Sequence, residues 1–149
     1  MKQLFQSLKT GKTEIIEIPV PEVSENNILI KTKLTLISSG TERMIVDFGK
    51  ANLVDKVKKQ PEKVNEVFQK INSEGFLSTY DAIQNKLDKP IPLGYSNVGT
   101  VIQCGNKVKG FKVGDRVLSN GAHAEIVSVP NNLVSKIPDE VGDSEAVFT

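Results

Sequence analysis

Residues 98–137 read VGTVIQCGNKVKGFKVGDRVLSNGAHAEIVSVPNNLVSKI, and the pattern in this stretch decides the fold. Apolar and β-branched residues gather into short runs, Val98 to Cys104, Arg116 to Leu118, Ala122 to Val129 and Leu133 to Ile137. Between the runs lie Gly105-Asn106, Gly110, Gly114-Asp115, Asn120-Gly121 and Pro130-Asn131-Asn132, residue types that turn or interrupt a chain. Many short strands divided by glycine turns predict a β-barrel or sandwich.

The N-terminal part continues that pattern. Leu4 to Leu8 and Thr13 to Ile18 predict two short strands joined through Lys9-Thr10-Gly11-Lys12, where glycine supplies the positive φ of a tight turn. Pro19 and Pro21 end the second strand. From Ile28, the residues Ile28, Ile30, Thr32, Leu34 and Leu36 alternate with Lys31, Lys33 and Thr35, the period of two expected of a strand with one buried face. This strand delivers the chain to Ser38-Ser39-Gly40.

The middle of the chain changes period. Val64, Val67, Phe68 and Ile71 follow helical spacing after Pro61, with Gly75 as the stop. A second helix is expected from Ser78 to Lys89, striped by Tyr80, Ile83 and Leu87, and Leu53, Val54 and Val57 suggest a shorter one before Pro61. The expected architecture is therefore mainly β with a helical insertion over about 44–90. At the C-terminus, Asp143-Ser144-Glu145-Ala146-Val147-Phe148-Thr149 reads as a helix cap and first turn. So short a helix does not stand alone, and the expectation is of a fragment once followed by another domain.

Composition narrows the class of function. The chain has 149 residues, 38% hydrophobic and 25% charged, with a net charge of +1. That balance gives no general attraction to nucleic acid or a membrane surface, and no apolar run is long enough to span a bilayer. The first residues, Met1-Lys2-Gln3-Leu4-Phe5-Gln6, lack the pattern of a secretory signal, so a cytoplasmic setting is expected. The single cysteine, Cys104, reads as a buried and inert thiol at a strand end.

An ordered set of motifs now carries a family resemblance over nearly the whole chain. Gly114-Asp115-Arg116-Val117, then Gly121-Ala122-His123-Ala124-Glu125-Ile126-Val127 with Pro130, then Ile137-Pro138-Asp139-Glu140, resemble the N-terminal domain of medium-chain dehydrogenase/reductases. The resemblance implies a partly open, chaperonin-10 (GroES)-like β-barrel that walls the substrate cleft. It also implies a following Rossmann domain that binds NAD or NADP. No Gly-x-Gly-x-x-Gly segment occurs in this chain, so the Rossmann domain is expected to be absent from it, with residues 1–149 forming the GroES-like domain alone. Alone, such a half is expected to be inactive.

The resemblance points to two site segments and to their departures from the family. Ser39-Gly40-Thr41-Glu42 is similar to the Cys-Gly-Ser/Thr-Asp loop of zinc-dependent members, and Gly94-Tyr95-Ser96 to their Gly-His-Glu segment. Ser39 and Tyr95 thus stand where a thiolate and an imidazole would bind a catalytic metal, and neither hydroxyl is a good replacement. The cysteines of a structural zinc lobe are also missing. Zinc-independent hydride chemistry is the expectation, with Thr41, Tyr95 and Ser39 as candidate catalytic hydroxyls and Glu42, Arg43, Ser96 and Asn97 as candidate substrate or cofactor contacts. Glu42 either orients Arg43 or a ribose hydroxyl, or caps the segment that follows. His123, the one histidine, sits in a strand pattern and reads as structural or surface.

The wide separation of Ser39 from Tyr95 makes the helical middle a candidate lid. Its lysines, among them Lys56, Lys58, Lys59 and Lys63, read first as a solvated face; as a lid they would suit an anionic small-molecule substrate such as a nucleotide sugar. The combined segments look most like fused two-part oxidoreductases associated with surface-polysaccharide synthesis. The alternative is a non-catalytic GroES-like binding module that self-associates through Val64, Val67, Phe68 and Ile71. The oligomeric state is left open by the sequence.

Overall fold

The computed structural model describes residues 1–50 and 89–149. The expected helices around Pro61–Gly75 and Ser78–Lys89, the basic segment beyond Lys50 and the self-association stripe lie outside the described residues. In chain order the described elements are β1 (Lys2–Gln6), β2 (Thr13–Glu17), β3 (Asn27–Thr35), α1 (Thr41–Lys50), β4 (Ile91–Pro92), β5 (Asn97–Cys104), β6 (Arg116–Ser119), β7 (Ile126–Pro130), β8 (Val134–Lys136) and α2 (Asp143–Ala146). A 3-10 turn at Asn131–Leu133 leads into β8. The start of α1 at Thr41 corrects the expected boundary near Met44: the candidate loop residues Thr41 and Glu42 already belong to a helical first turn.

The strands form two open sheets, one of three strands in the order β2-β1-β4 and one of five in the order β7-β3-β5-β6-β8. A mainly β, partly open architecture was the expectation, and among the described residues β7 and β8 are the edge strands of the larger sheet. The chain divides into two compact units. One comprises Met1–Leu4, Ile15–Glu42 and Pro92–Thr149; the other comprises Phe5–Glu14 and Arg43–Ile91. Gly11 takes φ +71 in the turn between β1 and β2, as a tight reversal requires.

Within the first unit, β3 is the axis of the larger sheet because it pairs with both β5 and β7, antiparallel in each case. Ile28 and Ile30 alternate into one core cluster, and Leu29 between them is also buried but belongs to neither cluster. Opposite them β5 carries a bulge: Leu29 pairs with Gln103 but Ile30 with Val101, and the skipped residue, Ile102, is exposed. Ile28, Ile30, Val101, Val117, Ala124, Val127 and Val129 form one core cluster. A second, of Val98, Ile137, Ala146 and Val147, seats α2 against the sheet.

Polar contacts also hold the C-terminal turn. Arg116 donates to Asp143 Oδ1 from Nε at 3.1 Å and from Nη2 at 2.8 Å, and also to the Val141 carbonyl at 2.7 Å. Lys33 pairs with the other oxygen of Asp143. Glu145 Oε2 accepts the Gly142 N–H at 2.9 Å, covering an amide that opens the helix. These anchors explain how so short a helix persists. Truncating Ile30, fully buried at the sheet centre, to alanine is expected to cost about 2–5 kcal/mol in denaturant unfolding.

The ion pairs of Asp143 also set a pH dependence. Its carboxyl is held below the ordinary carboxylate range, first by hydrogen bonding from Lys33 and then by Arg116. A depressed folded value means that the stabilisation is present above the unfolded value, about pH 4, and is lost as pH falls through the lower folded value. Thermal melts taken from pH 6 downward should therefore lose midpoint more steeply in the wild type than in Asp143→Asn; parallel curves would remove this contribution.

Candidate functional site

Two stretches far apart in sequence, Ser38 to Glu42 and Leu93 to Asn97, meet at one imidazole. The Glu42 carboxylate, in the first turn of α1, folds back on the loop before it: Oε1 accepts the Ser38 N–H at 2.9 Å, while the Ser38 hydroxyl accepts the Thr41 N–H at 3.2 Å. This reciprocal pair ties down amides that a helix start leaves without intrahelical partners. The other carboxylate oxygen, Oε2, lies 2.8 Å from His123 Nε2. His123 Nδ1 lies 2.8 Å from Thr35 Oγ1 at the end of β3.

The backbone places this imidazole as firmly as the side chains do. The His123 N–H donates to the Leu93 carbonyl at 2.8 Å, and its own carbonyl accepts the Leu4 N–H at 2.8 Å. Gly94 follows Leu93 at φ +97, and a Cβ at that position would sit 2.6 Å from the His123 nitrogen and 2.8 Å from the ring atoms Cγ and Nδ1. Only glycine combines that conformation with that clearance. The Leu36 N–H bonds the Ser96 carbonyl at 3.2 Å, so the end of β3 is stitched to the same segment. The His123 side chain is 8% exposed and that of Glu42 6%; as whole residues, Thr35 and His123 are both half-buried and Glu42 is buried.

The residues singled out from sequence occupy varied places. Ser39 and Thr41 are exposed, beside the Ser38 turn. Tyr95 is 46% exposed and borders a concavity of about 270 Å³ also lined by Leu118, Asn120, Leu133 and Thr149. Ser96 is buried, and its hydroxyl donates to the Val147 carbonyl at 2.7 Å, joining the segment to α2. Asn97 is fully buried; Nδ2 donates to Thr32 Oγ1 at 2.8 Å, and Oδ1 has no partner among the described residues. Arg43 pairs at 3.7 Å with Asp47, one helical turn on, and both are exposed. Glu42 thus orients His123 and caps the Ser38 turn rather than Arg43.

Sequence reading missed Thr35 and the use of His123. Thr35 counted only as an outward residue of an alternating strand, and a single histidine in a strand pattern carries no signal of its partners. The adjacency of Gly94 to the ring is a property of backbone positions 29 residues apart in number, invisible to local pattern.

A catalytic zinc does not fit these donors. The Ser96 hydroxyl is bound to a carbonyl, both His123 nitrogens face Thr35 and Glu42, and serine and tyrosine hydroxyls are weak zinc ligands. Among the described residues no group of three or more His, Cys, Asp or Glu is placed to hold a metal ion. Cys104 is half-buried, and burial followed by the nearby Asp115 charge pushes its thiol up, away from a reactive thiolate.

Residues 70–139 match the alcohol dehydrogenase GroES-like domain. L-threonine 3-dehydrogenase from Alteromonas mediterranea is 25% identical over 176 residues, covering 98% of this chain and 42% of that protein. A human synaptic vesicle membrane protein VAT-1 homolog-like is 40% identical over 67 residues, 43% of this chain and 16% of that protein. The chain thus spans well under half the length of these curated relatives. In three dimensions, the human VAT-1 homolog-like protein superposes over 100% of this chain and 39% of its own, with a TM-score of 0.67 and 22% identity. Quinone oxidoreductase from Escherichia coli, solved with NADPH, covers 99% of this chain and 36% of its own at a TM-score of 0.61 and 16% identity. These likenesses establish the fold.

Replacing Gly94 by alanine should push the added methyl into the His123 ring. The expected cost is about 1–3 kcal/mol in stability, with a displaced imidazole resonance in the NMR spectrum. An unshifted ring in a fully stable variant would contradict the packing.

Proposed function

Because the chain is a GroES-like domain of the medium-chain dehydrogenase/reductase family, we propose that it forms the substrate-side half of an NAD(P)-dependent oxidoreductase that works without zinc. The observation that carries this reading is the convergence of the Ser38–Glu42 turn and the Leu93–Ser96 segment on His123. The two segments that resemble the family's catalytic wall meet around proton-handling groups in place of metal ligands. Nucleotide binding falls to a Rossmann domain outside these residues, and the nicotinamide, when bound, accepts or supplies the hydride.

The chemistry left to this chain is proton movement. When an alcohol carbon gives up hydride, its hydroxyl must lose a proton, and without a metal to acidify it a side chain must take that proton or a carbonyl must be polarised by a donor. Thr41 and Ser39 present hydroxyls at the turn, and Tyr95 presents a phenol beside the concavity. Glu42 holds the turn in shape. The lysines between Lys50 and Lys70 favour an anionic sugar or nucleotide sugar as the substrate class, since a positively charged segment attracts anions.

The reading is tested in an enzyme that contains this chain with its nucleotide-binding partner domain. Hydride transfer to NAD or NADP should be measurable with dialysed, metal-free protein. Thr41→Val and Tyr95→Phe should each be assayed, and loss of about 10²-fold or more in kcat from either identifies the hydroxyl in use. Tight stoichiometric zinc required for turnover would overturn the zinc-free mechanism.

A further inference from the structure

The concavity beside Tyr95 is lined by polar groups that the fold leaves unused. It is bounded by the ends of β6 and β8, where Ser119 pairs with Val134, by Tyr95 ahead of β5, and by Asn120 and Asn132. Among the described residues, the side chains of Tyr95, Asn120, Asn132 and Ser135 make no hydrogen bond or ion pair. Ser119 is buried; its hydroxyl accepts the Gly121 N–H at 3.3 Å and, among the described residues, has no acceptor for its own proton. Leu118 and Leu133 add apolar surface, and none of the lining side chains carries a charge.

That lining selects by exclusion. A phosphate or carboxylate entering it would give up water with no cation to meet it. A hydrocarbon would strip water from the amides and hydroxyls and leave them unpaired. A sugar ring suits both kinds of surface, because it has an apolar C–H face and an edge of hydroxyls. The C–H face packs on the negative face of an aromatic ring. The hydroxyls donate and accept at once, as asparagine amides and serine hydroxyls do. At about 270 Å³ the concavity is smaller than pockets that enclose a whole drug-sized ligand, which suits one ring and not an entire nucleotide sugar.

We propose that this concavity is a subsite for a single uncharged monosaccharide ring, packed on Tyr95 and hydrogen-bonded to Ser119, Asn120, Asn132 and Ser135. The proposal deepens the oxidoreductase reading above and rests on it for turnover: the ring is the neutral part of the sugar substrate, and the charged part lies outside the concavity. Only the aromatic face of Tyr95 is used, so its hydroxyl stays available for the proton.

The test uses the full 149-residue chain, labelled with 15N and titrated with the methyl glycosides of glucose, galactose and mannose. At least one should give saturable shifts in the amides of Ser119, Asn120, Asn132 and Ser135. Tyr95→Ala should weaken that binding about tenfold or more while Tyr95→Phe keeps it, since the aromatic face is what the alanine removes. Asn132→Ala, at an exposed position, should weaken it with the fold undisturbed. No saturable shift with any of the three glycosides, shifts confined to other residues, or tighter binding of cyclohexanol than of the glycosides overturns the subsite. In the complete enzyme the two readings separate. Glycoside binding here without hydride transfer keeps the subsite and overturns the oxidoreductase; hydride transfer with no glycoside bound here does the reverse.

Discussion

The Glu42 carboxylate is the contact on which the site depends, because each of its oxygens holds a different part of the chain. One fixes the Ser38 turn that opens α1; the other reaches the imidazole of His123, 81 residues away in sequence. A carboxylate with 5% of the residue exposed is tolerated only when its oxygens are bonded, so turn and imidazole are ordered together or not at all. The ring in turn meets β3 through Thr35 and lies against Gly94, which carries the chain on to Tyr95. Strand end, helix start and glycine segment share one buried polar junction.

That junction sits on a rigid support. β3 is flanked on both sides in the five-stranded sheet, and its alternating Ile28 and Ile30 lie in the main core cluster. The Ser96 hydroxyl bound to Val147, together with Arg116 and Lys33 on Asp143, fastens α2 to the same sheet. Residues that read as contacts for a ligand, Ser96 and Asn97, are thus engaged inside the fold, and the exposed candidates are Ser39, Thr41, Arg43 and Tyr95.

Much of the fold was legible beforehand because its signals are local. Gly11 marks the turn between β1 and β2, and the glycine and asparagine breaks after Cys104 and around Asn120 divide strands close to where they end. Boundaries moved where a tertiary contact intervened. Ala122 to Ile126 is continuous with β7 in pattern, yet the strand begins only at Ile126, since the preceding residues bond instead to Lys2, Leu4 and Leu93. The helix start at Thr41 moved for a comparable reason: Glu42 and Ser38 cap it reciprocally, a pairing that a hydrophobic period does not register.

By itself the sequence determined a mainly β chain with glycine turns, the order of motifs that marks a GroES-like domain, and the hydroxyls of Ser39, Thr41 and Tyr95 in its two candidate segments. Those properties are written in residue type and spacing along the chain. Only the tertiary structure decided which groups work together. The alignment of Thr35, His123 and Glu42, and the clearance over Gly94, arise from three segments brought within hydrogen-bond distance by the pairing of strands and the return of a helix's first turn. Hydrogen bonds act over about 3 Å whatever the separation in sequence, so no local pattern carries them.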